Sequence, residues 1–329
     1  MKVFVTQKLA GDYVDKLVEK HEVEVWPERE ISRKDLLRKV KGVDAILSLL
    51  TERIDAEVME KAGENLKVIS NCAVGFDNVE VSEATRRGIV VTNTPAALSE
   101  SVAEHAIALM LTVMRRIVEG DKYVRSGKFK GWEPDLMVGM TVRRKVLGVV
   151  GMGRIGEWMT RLAYGLGMKV IYHSRSRNVD IEKECKSEYK EKLDELLKEA
   201  DVISLNVPLN KETEGMIGKK ELMMMKKTAV LINTARGAVV KENELIEMLK
   251  EGRIAGAGLD VFEDESRVNT GLFKLDNVVL TPHIASATNE ARELMAEMAV
   301  NNILRTLAGE EPEGLVNEEV WCRARVHKC

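Results

Sequence analysis

Short apolar runs alternate, from the first residues onward, with stretches whose apolar side chains recur at helical spacing. Val3 to Thr6, Val23 to Trp26, Ala45 to Leu49, Leu66 to Ser70 and Ile89 to Val91 read as strands, and Tyr13 to Glu19, Arg33 to Val40, Ala56 to Ala62 and Val81 to Arg87 as the helices between them. This βα rhythm implies a parallel sheet covered by helices. Asn93-Thr94-Pro95 interrupts it, and Ser99 to Arg125 follows as one long helical stretch, expected to connect two domains.

The rhythm resumes after a loop around Gly127 to Gly139. Val146 to Val150 reads as a strand, followed by a helix to about Leu166 and a second strand over Lys169 to Tyr172. Further βα units fall on Leu193 to Lys198, Val202 to Asn206, Lys219 to Met225, Ala229 to Asn233, Glu242 to Lys250, Ile254 to Leu259 and Val278 to Thr281. The ensemble is an α/β, doubly wound sheet. Glu290 to Leu307 reads as a helix late enough to return to the first domain, and the tail Trp321 to Cys329 carries no interpretable pattern.

Between strand and helix lies Gly151-Met152-Gly153-Arg154-Ile155-Gly156, a G-x-G-x-x-G. In such a turn Gly151 allows the sharp bend, Gly153 lets backbone approach a pyrophosphate, and Gly156 lets the helix pack close to the strand. A βαβ turn without a ligand can also use glycines, so the pattern alone leaves both readings open.

At 329 residues the chain exceeds one ordinary core and implies two domains of similar size. A net charge of -3 gives no basic field for nucleic acid. No apolar stretch approaches membrane-spanning length, and Met1 to Thr6 lacks the apolar core of a signal peptide. The expected partner is therefore a small molecule, with neither nucleic acid nor membrane, and the expected location is the cytoplasm. Cys72, Cys185, Cys322 and Cys329 have neither C-x-x-C nor metal-ligand spacing, so reduced thiols are expected ahead of a Cys322–Cys329 pair, and no metal.

Four motifs then make a resemblance specific: Val149 to Gly156, Asn233-Thr234-Ala235-Arg236-Gly237, Gly258 to Glu263, and Thr281-Pro282-His283-Ile284. In that order they resemble the D-2-hydroxyacid dehydrogenases. The likeness extends over Gly75-Phe76-Asp77-Asn78 and Ser101-Val102-Ala103-Glu104, stops before the tail, and is greatest to the glyoxylate and hydroxypyruvate reductases of that family. It covers the Arg-to-Glu and Glu-to-His spacings, 29 residues from Arg236 to Glu265 and 18 from Glu265 to His283. It implies a flavodoxin-like substrate domain over 1–98 and 288–329 and a Rossmann cofactor domain over 99–287.

Reducing a 2-keto acid requires a hydride at C2, a proton for the carbonyl oxygen and a cation for the carboxylate. Arg236, after a strand, suits the cation role because its planar fork pairs with a carboxylate through two parallel hydrogen bonds. His283 is the candidate acid/base, since an imidazole exchanges protons near neutrality. Glu265 is expected to hold the other ring nitrogen and set its tautomer, with Glu263 as substitute if Glu265 is only part of a solvated acidic run. Formate dehydrogenases of the family, which move no substrate proton, pair a glutamine with this histidine. Phosphite dehydrogenases carry a lysine in the loop equivalent to Ala73-Val74-Gly75, absent here, although Lys128 to Trp132 resembles theirs. A second class, a dinucleotide-sensing corepressor, needs no acid/base pair and has less support.

The segment His173-Ser174-Arg175-Ser176-Arg177 follows the second strand with no carboxylate before Asp180. NAD-selective sites place an acidic residue there, so NADP(H) is preferred and NAD(H) possible, with Ser174, Arg175 and Arg177 on the 2′-phosphate. The resemblance further implies Arg154 and Ile155 at the pyrophosphate, Val207 and Pro208 at the adenine side with Thr213, and Thr234, Ala235 and Asp260 towards the nicotinamide. Asp260 would accept the carboxamide N–H. For the substrate it implies amides of Val74 and Gly75 on the carboxylate and Leu50 as a wall, beside Arg236 and His283. A homodimer is expected; in relatives a loop like the one bearing Trp132 reaches towards a partner's active site, and a tryptophan that is simply buried or on the surface is the equal alternative here.

Overall fold

The computed structural model describes residues 1–327; Cys329, and with it any Cys322–Cys329 pair, lies outside the described residues. The chain divides into two compact units, one formed by Met1–Leu98 together with the chain from Ala287 onward, the other by Ser99–Ser286.

In the first unit β1 (Lys2–Val5), α1 (Asp15–Val18), β2 (Glu22–Val25), α2 (Arg33–Lys39), β3 (Ala45–Ser48), α3 (Ala56–Ala62), β4 (Val68–Asn71), α4 (Val81–Arg87) and β5 (Val90–Thr92) alternate along the chain. The strands form one parallel sheet in the order β2-β1-β3-β4-β5, the flavodoxin-like arrangement. β3 and β4 are buried at every residue, as strands covered on both faces must be.

The second unit begins with α5 (Ser99–Met114) and α6 (Ile117–Arg125), then runs β6 (Val146–Val150), α7 (Arg154–Gly165), β7 (Lys169–His173), α8 (Val179–Cys185), β8 (Glu188–Tyr189), α9 (Leu193–Glu199), β9 (Val202–Leu205), α10 (Lys219–Met224), β10 (Val230–Asn233), α11 (Glu242–Lys250), β11 (Gly256–Leu259) and β12 (Val278–Leu280). Its seven strands are all parallel, in the order β12-β11-β10-β9-β6-β7-β8. The order reverses beside β6, and open sheets bind ligands at such a reversal, outside the strands' carboxyl ends. Two cores sandwich the sheet. One joins Leu205, Leu231 and Leu259 to α9, α10 and α11; the other joins Val149, Val170 and Ile232 to α5 and α7.

The stretch 99–125 is two helices rather than one. Arg116 lies at φ 55, ending the α-helical path, and the Met140 amide donates to the Met114 carbonyl at 2.8 Å, supplying a partner at the end of α5. The pattern also missed α8 and the two-residue β8. Asn178 caps α8 by accepting from the Ile181 amide, and β8 pairs with β7 through Ile171–Glu188 and Tyr172–Tyr189.

Finally α12 (Asn289–Leu307), capped by Thr288, packs on β3 and β4, and Ser70 donates to the Ala299 carbonyl at 2.9 Å. The buried Asn302 bonds Asn93, Glu313 and Gly314, and Asn317 accepts from the Val91 amide. In the tail, Arg325 reaches the carbonyls of Gly63, Leu66 and Arg87, satisfying acceptors at the carboxyl ends of α3 and α4.

Candidate active site

The glycine turn follows β6. Gly151 sits at φ 96, where a side chain is strained, and a Cβ there would lie 2.6 Å from the Asn206 carbonyl oxygen. A Cβ on Gly156 would lie 2.2 Å from the Gly151 carbonyl oxygen, so only glycine lets α7 start this close to the strand. Gly153 differs: nothing lies within 4 Å of its would-be Cβ, and both it and Arg154 are exposed. No side chain caps α7, whose first turn includes Arg154 and Ile155. At nearby strand ends, the Thr234 hydroxyl and the Asn206 side-chain oxygen are buried with no partner. Orphaned polar atoms beside an open glycine and an uncapped helix fit a phosphate-bearing dinucleotide.

Around that turn, Val207, Pro208 and Thr213 share the loop after β9, where the Thr213 hydroxyl donates to the Pro208 carbonyl at 2.5 Å. Beyond β7, Ser174 is half-buried and Arg175 exposed. Arg177 is engaged within the protein: it bonds Glu182 at 2.6 Å and lies 5.7 Å from the centre of the Tyr189 ring. Of the three residues expected on a 2′-phosphate, Arg177 is the one already holding an anion.

Arg236 follows β10 in extended backbone. Asn233 shapes its turn by donating to the Arg236 carbonyl at 3.0 Å and accepting from the Ala235 amide at 3.0 Å. The guanidinium donates to the Ala235 carbonyl at 2.8 Å. Gly237 permits the next contact, since a Cβ there would overlap the Phe262 carbonyl carbon at 1.8 Å. The turn bearing Arg236 is thereby locked against the start of the loop bearing Glu265.

His283 follows β12. Its Nδ1 lies 2.8 and 2.9 Å from the two carboxylate oxygens of Glu265, so Nδ1–H is donated and Nε2 is the nitrogen left to pass a proton. The contact is made by Glu265 rather than Glu263. Glu263 instead donates its amide to Glu242, whose carboxyl is pushed up by burial and by the charges of Glu263 and Asp264. The side chain of His283 is 24% exposed and that of Glu265 40%, which leaves the pair accessible.

Asp260 directly follows β11. Its carboxylate has no exposed surface and faces inward, accepting from the Thr281 hydroxyl at 2.5 Å and the amides of Ile284 and Ala285 at 2.9 and 2.8 Å. Burial alone would raise this carboxyl; His105, Thr281 and the two amides outweigh it and hold the group below the ordinary aspartate range. His105 Nε2 lies 3.0 Å from the Thr281 hydroxyl.

In the first unit, Leu50, Val74 and Gly75 are half-buried in loops after β3 and β4. The asparagines Asn71 and Asn93, which sequence reasoning passed over, fix the second loop by donating to the carbonyls of Gly75 and Val74 at 2.9 and 2.8 Å. Among the described residues the amides of Val74 and Gly75 donate to no protein acceptor.

Residues 107–285 match the family described as D-isomer specific 2-hydroxyacid dehydrogenase, NAD binding domain. With the glycine turn, this places the chain among the nicotinamide-dinucleotide oxidoreductases. More narrowly, the chain belongs to the D-isomer specific 2-hydroxyacid dehydrogenases. The glyoxylate reductase of Pyrococcus furiosus is 52% identical over 324 residues, covering 97% of this chain and 96% of that one. Among solved structures, the NADPH-dependent glyoxylate/hydroxypyruvate reductase of Sinorhizobium meliloti, in complex with NADP and malonate, is 31% identical with a TM-score of 0.86 and covers 96% of each chain. The D-lactate dehydrogenase of Aquifex aeolicus, complexed with NAD and lactic acid, is 31% identical with a TM-score of 0.83, covering 94% of this chain and 96% of that one.

Proposed function

We propose that the protein reduces a small 2-keto acid, glyoxylate or hydroxypyruvate, to the 2-hydroxy acid, with NADPH as preferred reductant. The reading rests above all on the paired contact of His283 Nδ1 with Glu265, which leaves Nε2 to donate a proton. When bound, the reduced nicotinamide would supply hydride for the keto carbon. Arg236 holds the substrate carboxylate and draws charge from the adjacent carbonyl. His283 protonates the carbonyl oxygen as it gains negative charge, and Glu265 keeps the ring oriented and stabilises the cation before transfer. In the first unit, the amides of Val74 and Gly75 donate to no protein acceptor among the described residues, and with Leu50 they are the residues the resemblance offers to the substrate. The glyoxylate reductase relatives support the substrate class.

The NADPH preference is supported by Ser174 and Arg175 after β7 and by the absence of a carboxylate before Asp180. We also infer a homodimer, supported by the exposed apolar side chains of Ile117, Val124, Phe129 and Trp132, the last 84% exposed.

Glyoxylate, hydroxypyruvate, pyruvate, phosphohydroxypyruvate and phosphite, each with both cofactors, form the decisive panel. The highest kcat/KM is expected for glyoxylate or hydroxypyruvate with NADPH. Inactivity towards every keto acid would overturn the substrate class, and an equal or greater kcat/KM with NADH would overturn the roles of Ser174 and Arg175.

A further inference from the structure

Asp260, which directly follows β11, grips the chain on both sides of His283. Its carbonyl accepts from the His283 amide at 2.9 Å, and its carboxylate accepts from the next two amides, those of Ile284 and Ala285. Between these holds His283 sits at φ 54, a left-handed conformation that a residue with a side chain adopts reluctantly. The turn that aims the imidazole therefore depends on Asp260 staying ionised and fixed.

The protons behind Asp260 are ordered. Thr281 gives its single hydroxyl hydrogen to Asp260 Oδ1 at 2.5 Å, so its oxygen is left as an acceptor. His105 Nε2, 3.0 Å from that oxygen and 3.5 Å from Oδ1, must then carry a hydrogen. This contact joins α5 to the turn after β12, and neither side chain is used by the proposed reaction.

We propose that His105 and Thr281 are positioning residues for His283, acting through a relay from His105 Nε2 to the Thr281 hydroxyl to Asp260 Oδ1. A simple packing role would need only their volume. The relay needs a donor at each place, which glutamine and serine supply and leucine and valine do not.

The kinetic arm of the test rests on the proposed 2-keto acid reduction; the exchange arm does not. Thr281→Val and His105→Leu are expected to lower kcat for glyoxylate by about 10- to 100-fold with KM changed less than about threefold, because the loss falls on the aim of the proton donor. Thr281→Ser and His105→Gln are expected to stay within about threefold of the parent kcat. By NMR in the cofactor-free protein, amide hydrogen exchange of Ile284 and Ala285 should rise at least about tenfold in the Val and Leu variants, with Val149 in β6 unchanged. Parent-like kcat and exchange in those two variants would overturn the relay, as would equal losses in the Ser and Gln variants. Should the parent reduce no keto acid, the function reading falls and the exchange result alone decides; should one variant not fold, the other pair decides.

Discussion

After β6 the chain turns at Gly151, φ 96, with no side chain on the bend; after β12 it turns at His283, φ 54, with an imidazole on it. Both bends lie at the carboxyl end of the same sheet, and both use the left-handed region. The first meets the steric cost by removing Cβ atoms, which leaves backbone open to a ligand. The second keeps the side chain and offsets the strain with backbone amides that donate to one buried aspartate. The first turn makes room and the second makes aim, and the substitutions each tolerates should differ accordingly.

The largest effect is expected where aim meets chemistry. His283→Ala should lower kcat by about 10²- to 10⁴-fold, the worth of a positioned proton donor. Steady-state glyoxylate reduction checks this, and near-parent turnover would remove His283 from the reaction. Arg236→Ala should both raise KM and depress kcat, for a loss of about 10²-fold or more in kcat/KM, since a carboxylate partner acts in ground and transition states alike.

Within the glycine turn the comparison sharpens. Gly156→Ala forces a Cβ to 2.2 Å from the Gly151 carbonyl oxygen, whereas Gly153→Ala meets open space. The first should cost about 1–3 kcal/mol of stability as overpacking, read as a lower Tm without cofactor. The second should leave Tm unchanged and weaken NADPH binding by about tenfold, the methyl group obstructing the pyrophosphate. Equal Tm losses in both would mean that Gly153 serves the fold and not the ligand.

The smallest effect is a pH dependence. The carboxyl of Asp260 is lower in the fold than its ordinary 3.8. Its stabilisation is therefore full above that value and lost as pH falls through the folded value. Asp260→Asn should lower Tm at pH 7, with the gap from the parent narrowing below about pH 4. A gap that widens on acidification would mean the carboxyl is not held low.

The same contrast explains what the sequence could reveal. The glycine turn is legible because its determinants are local: three glycines within six residues, directly after an apolar run. The strands that carry Arg236 and His283 are legible for a similar reason, each being a short apolar run. The hold on His283 is not, because His105 and Asp260 lie far from it along the chain and meet only in the fold. The break at Arg116 is hidden because residues on either side of it keep helical periodicity. What ends α5 is a single dihedral and an amide from Met140. Strand β8 is too short, at two residues, for alternation to show.

The placement of α12 has a consequence for the order of synthesis. The strands of the first unit leave the ribosome before any of the second unit, yet β3 and β4 receive α12 only after residues 99–286 have been made. During that interval the first sheet lacks the helix that covers part of one face, while the second unit, continuous in sequence, has all its own elements to hand. The later-made unit is thus free to mature first, and the first sheet is the part of the nascent chain most in need of shielding. A released chain ending before Asn289 should show β3 and β4 open to protease while the second sheet is protected.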